Sequence, residues 1–335
     1  MPADSRPSIL VLGAGSWGTA LAILLARNGA DTYLWARNVE QVRQMQTQRC
    51  NTRYLPGAEF PARLTAVEDC ADLLPRVRDI LLAVPSHGFR QSLESIGAHL
   101  RADARVAWAT KGLEAGTHKL LHQVAAEVLG ARTPTALISG PTFAKEVALG
   151  LPTAVTVASQ FPDFARDMAA YLHQNSFRAY TCDDIIGVEI GGATKNVMAI
   201  AAGIADGLGF GANTRAALIS RGMAEMMRLG EAAGGHRETL MGLAGLGDLV
   251  LTCTDNQSRN RRFGLALGRG KTRAEAAAEI DQVIEGIETA KEIHALATSL
   301  GVEMPITEQV YRVLFAGATP REAVRALLER EQKAE

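Results

Sequence analysis

A lysine in an almost uncharged stretch is the residue with the clearest capacity for chemistry. Lys195 lies in the segment 185–208, where Ala, Ile, Gly and Met recur with helical spacing. A helix that is apolar on every side is buried, so this ammonium group is expected in an interior. Burial lowers the pKa of a lysine from about 10.4, which lets it exchange protons near neutral pH. The alternative is a structural ion pair, for instance with Glu189.

Two polar groups follow in the second half of the chain. The run 242–249 has three glycines before Asp248, which is typical of a shaped loop that presents a carboxylate. Further on, a helical stretch is preceded by Ser258-Arg259-Asn260-Arg261-Arg262. Ser258 is a good N-cap, and hydroxyl, amide and guanidinium groups around a helix start bind anions such as phosphate. The alternative is a charged helix start in solvent.

The first forty residues have the pattern of a dinucleotide-binding unit. A strand is predicted at 9–12, a helix after the glycines, and a second strand at 32–36. The turn between them is a GxGxxG sequence with Gly13, Gly15 and Gly18. In this context the glycines allow a tight turn, the approach of a pyrophosphate, and close packing of helix on strand. A glycine turn that only packs tightly and a methyltransferase loop are the alternatives.

The end of the second strand carries Arg37, where an NAD-specific site would have an acidic residue. An arginine there can pair with the 2′-phosphate of NADP. We therefore expect NADP, or the use of both cofactors, over NAD alone. Stacking on adenine or exposure to solvent is the alternative for Arg37.

Further apolar runs predict the rest of the sheet. Strands are expected at 79–85, 105–110 and 135–139, with edge strands at 154–158 and 177–180, and helices at 88–100 and 117–130. This alternation predicts an α/β fold, with an N-terminal Rossmann-like, doubly wound, mostly parallel sheet and an all-helical C-terminal domain. The domains are expected at 1–184 and 185–335. Lys111 and the turn 140–142 follow strands, where such sheets bind ligands.

Composition excludes several classes of protein. The 335 residues include 47% hydrophobic and 21% charged residues and carry a net charge of −1, which argues for a folded core and against general nucleic-acid binding. The four cysteines form no CxxC pair, so no metal site is expected. His118 and His122 are interpreted as surface or packing residues. Glycines interrupt the uncharged run 9–26, so membrane insertion is not expected.

In its motifs the chain resembles bacterial-type NAD(P)-dependent glycerol-3-phosphate dehydrogenase along essentially its full length. The matching segments are GAGSWGTALA at the start, WATKGLE at 108–114, SGPTFAKEV at 139–147, GGATKNVMAIAAG at 191–203, GLAGLGDLVLTC at 242–253, SRNRRFG at 258–264 and VEMPITEQVY at 302–311.

The resemblance implies roles for individual residues. The implied cofactor contacts, besides the glycine turn, are Ser16, Trp17, Arg37, Lys111, Ala144, Arg259, Val283 and Glu285. The implied substrate contacts are Lys111, Gly140, Thr142, Lys195, Asp248, Ser258, Arg259 and Asn260. Lys195 matches the family's proton acceptor. The resemblance also implies a cytoplasmic protein, a homodimer, and supply of sn-glycerol 3-phosphate for phospholipid synthesis.

The expected reaction is reversible hydride transfer between NAD(P)H and dihydroxyacetone phosphate, with Lys195 as general acid and base. Asp248 is expected to orient Lys195 or a substrate hydroxyl. A reductase that acts on a hydroxy acid, and a cofactor sensor without catalysis, are the competing hypotheses.

Overall fold

The computed structural model describes residues 7–174 and 176–331. Its contacts divide the chain into two compact units. The N-terminal unit comprises the described residues up to Thr110 together with Leu121–Ile185, and the C-terminal unit comprises Lys111–Leu120 and the described residues from Ile186 onward. The predicted boundary between 184 and 185 stays a prediction; the contacts assign Lys111–Leu120 to the C-terminal unit.

The N-terminal unit is built on an eight-stranded sheet. Its strands are β1 (Ser8–Leu12), β2 (Asp31–Trp35), β5 (Leu64–Val67), β6 (Asp79–Leu82), β7 (Arg105–Trp108), β8 (Thr135–Ser139), β9 (Thr153–Ala158) and β10 (Phe177–Cys182). Across the sheet they lie in the order β10-β9-β8-β7-β6-β1-β2-β5. All neighbours are parallel except β8 and β9. The strands β3 (Cys50–Asn51) and β4 (Leu55–Glu59) form a separate hairpin.

Helices cover this sheet, as expected for a doubly wound fold. They are α1 (Ser16–Arg27), α2 (Val39–Gln48), α3 (Phe89–Gly97), α4 (Leu121–Leu129), α5 (Ala144–Ala148) and α6 (Pro162–Leu172). The central strands β1, β6 and β7 are almost entirely buried, which explains their continuous apolar sequences. The predicted Rossmann-like architecture is confirmed, and the uncharged run 9–26 is divided between β1 and α1.

The C-terminal unit is helical. Its helices are α7 (Ile185–Gly207), α8 (Ala212–Ala232), α9 (Arg237–Leu240), α10 (Asp248–Thr254), α11 (Arg259–Gly268), α12 (Arg273–Ala278), α13 (Glu285–Ser299), α14 (Pro305–Phe315) and α15 (Pro320–Leu328). Among the described helices, α7 is long and apolar enough to cross a membrane, but most of it is buried in the protein interior. The glycines within α7 do not interrupt it. At Gly203 a Cβ atom would lie 2.1 Å from the backbone oxygen of Arg261, so glycine lets α7 and α11 pack closely.

Two local predictions are wrong. The helix expected at 117–130 begins only at Leu121, because Gly116 and His118 have left-handed backbone angles (φ +81° and +60°) that end any helical continuity. The loop expected before Asp248 is a π-helical turn, Leu243–Gly247, that runs directly into α10.

Candidate active site

The glycine turn after β1 is as tight as the GxGxxG pattern requires. Gly13 has φ +112°, and a Cβ there would lie 2.7 Å from the backbone oxygen of Ala83. A Cβ on Gly18 would lie 1.9 Å from the backbone oxygen of Gly13. Neither position can hold a larger residue without moving the backbone, so the turn and the first turn of α1 are packed as in a dinucleotide-binding unit.

The start of α1 offers a cradle for phosphate. No side chain caps this helix and no acidic residue lies in its first turn. A Cβ on Gly15 would meet no atom within 4 Å, so space is open beside the backbone there. Among the described residues, Trp17 Nε1 is a buried donor without a hydrogen-bond partner. Ser16 Oγ donates to the Tyr54 carbonyl at 2.7 Å. These residues fit a bound pyrophosphate at the positive end of the helix.

The remaining predicted ligand contacts of the N-terminal unit follow β2 and β8. Arg37 is exposed directly after β2, at the carboxyl end where the ribose of a dinucleotide is expected. After β8, Gly140 is buried, and the Thr142 hydroxyl donates to its carbonyl at 3.2 Å. Ala144 is the first residue of α5. The sequence-predicted residues of this unit therefore lie at carboxyl ends of parallel strands.

In the C-terminal unit, Lys195 of α7 lies in a buried polar cluster with Asp248 and Thr252 of α10. Its side chain is buried, with the residue 7% exposed. The ammonium donates to Asp248 Oδ1 at 2.8 Å and to Thr252 Oγ1 at 3.0 Å. The Thr252 hydroxyl donates in turn to Asp248 Oδ1 at 3.2 Å. The ammonium thus forms an ion pair with Asp248.

Lys111 completes this cluster. Its Nζ donates to the second oxygen of the same carboxylate, Asp248 Oδ2, at 2.5 Å. One fully buried carboxylate therefore accepts hydrogen bonds from two ammonium groups. A group of this kind attracts an anionic or developing alkoxide oxygen.

The environment separates the proton affinities of these groups. Burial lowers the pKa of Lys195 to about 8, and the charge of Lys111 acts in the same direction, while Asp248 opposes the shift. Burial by itself would raise the pKa of Asp248, but the two ammonium groups outweigh it and hold that pKa below its ordinary value. Asp248 thus stays charged, and Lys195 can exchange a proton near neutral pH.

The predicted anion-binding residues surround the start of α11. Ser258 is its N-cap, and its Oγ accepts from the Arg261 backbone N–H at 3.2 Å, as predicted. Arg259 Nη1 donates to the Val283 carbonyl at 2.8 Å. Arg259 and Val283 are both predicted cofactor contacts, and this hydrogen bond shows that the fold brings them together. Glu285, the first residue of α13, acts electrostatically on Lys195.

Asn260 links this region to Lys195. Its Nδ2 donates to Asn196 Oδ1 at 2.9 Å, and its Oδ1 accepts from the Gly286 backbone N–H at 2.9 Å. Since Asn196 follows Lys195 in α7, Asn260 fixes the start of α11 against the helix that carries the lysine.

Two polar residues of the site, Thr252 and Asn196, were missed by sequence reasoning. Thr252 lies four residues after Asp248, and this i,i+4 spacing on one helix face was the available signal. Asn196 lies beside Lys195 in α7, and no role is predicted for it from the sequence. Among the described residues, no group of three or more His, Cys, Asp or Glu side chains could hold a metal ion.

Comparisons with known proteins agree with this geometry. A family model described as the N-terminus of NAD-dependent glycerol-3-phosphate dehydrogenase matches residues 8–165, and the model of the C-terminus of the same enzymes matches residues 184–325. A relative from Nitrosococcus oceani, named as an NAD(P)+-using glycerol-3-phosphate dehydrogenase, is 59% identical and covers 97% of this chain and 95% of its own.

Solved structures agree as well. The crystal structure of glycerol-3-phosphate dehydrogenase from Coxiella burnetii is 52% identical, has a TM-score of 0.94, and covers 97% of this chain and 99% of its own. The glycerol-3-phosphate dehydrogenase of Saccharomyces cerevisiae has a TM-score of 0.84 at 27% identity and covers 97% of this chain and 100% of its own.

Proposed function

The chain belongs to the NAD-dependent glycerol-3-phosphate dehydrogenase family, and we propose that Lys195 is the group that exchanges a proton with the substrate. The protein is an oxidoreductase that uses NAD(P)H to reduce dihydroxyacetone phosphate to sn-glycerol 3-phosphate. The observation that carries the proposal is the buried ammonium of Lys195 on Asp248, with its pKa lowered to about 8.

The reaction moves one hydride and one proton, and the chain must handle the proton. In the reductive direction the Lys195 ammonium donates to the oxygen that develops negative charge at C2 of the substrate. In the oxidative direction the neutral amine accepts the hydroxyl proton. Within the described part of the chain, Asp248 and Thr252 take two of the three N–H bonds, and the third is then directed at the substrate oxygen.

Asp248 and Lys111 are proposed to tune this proton exchange and to hold the substrate. The carboxylate fixes the Lys195 nitrogen, while Lys111 makes the site more positive and so favours proton release. Ser258, Arg259 and Asn260 are proposed to bind the substrate phosphate, which is supported by their position at an α-helix start. Gly140 and Thr142 are proposed substrate contacts on the grounds of family resemblance.

The residues of the N-terminal unit fit NADP(H) or NAD(H). When bound, the reduced nicotinamide supplies the hydride. Gly13, Gly15, Ser16, Trp17 and Gly18 would hold the pyrophosphate at the start of α1. Arg37 would pair with a 2′-phosphate and so favour NADP(H). Further cofactor contacts are proposed for Lys111, Ala144, Arg259, Val283 and Glu285.

Three wider proposals rest on family resemblance alone. We propose that the protein is cytoplasmic, that it forms a homodimer, and that its product enters phospholipid synthesis.

Steady-state rates with two substrates test the reaction. We expect rapid NADPH oxidation with dihydroxyacetone phosphate and little with a 2-oxo acid of similar size. A 2-oxo acid has no phosphate group to bind the residues proposed for phosphate. Comparable rates with both would favour a hydroxy-acid reductase. No turnover with either would favour a cofactor sensor.

A substitution that keeps the charge tests the role of Lys195. A guanidinium does not release its proton, so Lys195→Arg should lower kcat by about 100-fold or more. A variant with near-normal turnover would reduce Lys195 to a structural ion pair.

The cofactor argument is tested by Arg37→Asp, which should lower the preference for NADPH over NADH by about tenfold or more. The ratio of kcat/KM for the two cofactors measures this effect. An unchanged ratio would mean that Arg37 does not contact the 2′-phosphate.

A further inference from the structure

The segment Lys111–Leu120, here called the strap, is a closed hairpin of the C-terminal unit. Leu113 and Leu120 form an antiparallel bridge, and the Glu114 backbone N–H donates to the Lys119 carbonyl at 2.9 Å. The tip has left-handed backbone angles at Gly116 and at His118, and such an angle is uncommon for a residue other than glycine. The strap is therefore a defined structure, with Lys111 as its first residue.

Two anchors hold the strap in its unit. Leu113 and Leu120 are 2% and 5% exposed and belong to the apolar core of the C-terminal unit. At the tip, Glu292 of α13 accepts the Gly116 backbone N–H at 3.1 Å and contacts His118 Nδ1 through its other oxygen. The Glu292 side chain is only 2% exposed. A buried carboxylate is costly unless it is hydrogen-bonded, so loss of the contact between the strap tip and Glu292 would be unfavourable.

The partners of Glu292 show which element it serves. Both of its hydrogen bonds in the described structure go to the strap, and neither supports α13, which carries it. Only four residues separate the anchored Gly116 from Lys111. A lysine has a flexible side chain, so its backbone must be fixed if its nitrogen is to stay at a hydrogen-bonding distance.

We propose that Glu292 is a positioning residue for Lys111, since it holds the strap tip on α13 and thereby keeps Lys111 Nζ on the Asp248 carboxylate. The inference rests on the proposed function, because it requires Lys111 to act on the substrate. Glu292 belongs to α13 and contacts the strap only at its tip, so it acts on the substrate through Lys111.

Substitution of Glu292, measured by the separate KM values of substrate and cofactor, tests the proposal. Glu292→Ala should raise the KM for dihydroxyacetone phosphate by about tenfold or more, because small displacements of a binding group are costly. The KM for NADPH should rise less than the KM for dihydroxyacetone phosphate, since Lys111 is one of many proposed cofactor contacts and most of the others lie outside the strap. Glu292→Gln should recover the substrate KM to within about threefold of wild type, because an amide can accept from Gly116 and donate to a neutral imidazole.

A matched control is available in the same unit. Glu225 is also 2% exposed and accepts the backbone N–H groups of Ile306 and Thr307 at the start of α14. Glu225→Ala should lower the melting temperature without a change in the KM for dihydroxyacetone phosphate. An equal rise of that KM in Glu225→Ala would show that general loosening of the unit explains the effect, and would overturn the inference.

A double-mutant cycle with Lys111→Ala separates the possible failures. In the Lys111→Ala background, Glu292→Ala should change the substrate KM by less than about twofold, because the group it positions is gone. If Lys111→Ala raises this KM and Glu292→Ala does not, the positioning role is wrong and the proposed function stands. If Lys111→Ala itself leaves the KM unchanged, the substrate role of Lys111 fails together with the inference.

One more variant keeps the test open if Glu292→Ala does not fold. His118→Asn removes the imidazole, and asparagine can adopt the left-handed backbone angle found at this position. It should raise the KM for dihydroxyacetone phosphate by about threefold or more, through loss of one hydrogen bond to a charged group. An unchanged KM in a folded His118→Asn protein would contradict the proposal.

Discussion

Each unit of this protein contains a buried cluster of charges, and the two clusters are built differently. In the N-terminal unit, Arg105 lies on Asp79 through two parallel hydrogen bonds of 2.6 and 2.8 Å. Asp167 takes a further guanidinium N–H at 2.5 Å, and the Tyr171 hydroxyl donates to Asp79 at 2.8 Å. In the C-terminal unit, two ammonium groups share Asp248.

The two clusters differ in their capacity to move a proton. The guanidinium of Arg105 stays charged at any working pH and is matched by two carboxylates. Lys195 shares the Asp248 carboxylate with a second cation, Lys111, and burial lowers the pKa of Lys195 to about 8. An arginine paired with two carboxylates stabilises the fold, whereas a lysine whose pKa is lowered by burial can act as acid or base.

Their positions in the fold agree with this division. Asp79 and Arg105 are the first residues of β6 and β7 and face each other in the sheet register. They lie at the amino ends of the strands, opposite the ends where such sheets bind ligands. Lys195 and Asp248 lie on helices α7 and α10 of the other unit. Burial of charge alone therefore does not identify a catalytic group; its chemistry and its partners do.

Removal of Lys195 should have the largest effect on activity. Lys195→Ala should lower kcat by about 10³-fold or more through loss of general acid catalysis, with little change in the affinity for cofactor. Single-turnover rates and cofactor titrations measure the two quantities. A loss of less than about tenfold would move the proton-transfer role elsewhere.

The corresponding change in the other cluster should affect stability. Asp79→Ala leaves a buried guanidinium with one partly exposed partner and should lower the free energy of unfolding by about 3–5 kcal/mol. Urea unfolding measures this loss, and kcat of the folded variant at low temperature should stay near wild type. A stable variant with low kcat would reverse the assignment of the two clusters.

The pH dependence of the rate should follow the lowered pKa of Lys195. Reduction requires the ammonium, so kcat should be constant below pH 8 and fall about tenfold per unit above it. Oxidation requires the neutral amine, so its rate should rise through the same pH and level off above it. Profiles that change in the same direction for both reactions would be inconsistent with one group that serves as acid and base.

Thr252→Val should have the smallest effect of these changes. It removes a hydrogen bond that the Lys195 ammonium donates and should lower kcat in reduction by about three- to tenfold. Thr254→Val is the matched control, since the Thr254 hydroxyl is exposed and only donates to a backbone carbonyl of its own helix. Equal effects of the two variants would place the loss in the helix instead of the cluster.

The sequence predicted the main elements because their signals are local. Continuous apolar runs identified β1, β6, β7 and β8, and the uncharged helix identified Lys195 as buried. Strand β4 was missed because its sequence, LPGAE, contains Pro and Gly, which are unfavourable in strands. Strand β5 was also missed, because it has only four residues and lies at the edge of the sheet.

The contacts that define the cluster could not be predicted in the same way. Lys111 and Asp248 are 137 residues apart in sequence, and no local pattern indicates that they meet. Residues 117–120 of the strap were assigned to the predicted helix 117–130, of which only the part from Leu121 onward is helical. His118 has a left-handed backbone and contacts Glu292, which is 174 residues away in sequence, and no local sequence pattern specifies either feature.

Direct titration of the Lys195 nitrogen is the most direct test of the account. In protein labelled with ¹⁵N-lysine, the resonance that disappears in Lys195→Arg identifies Nζ, and its shift can be followed with pH. We expect a midpoint near pH 8. A midpoint at the ordinary lysine value of about 10.4 would contradict the account, because the amine would then be almost fully charged at the pH where it must accept a proton.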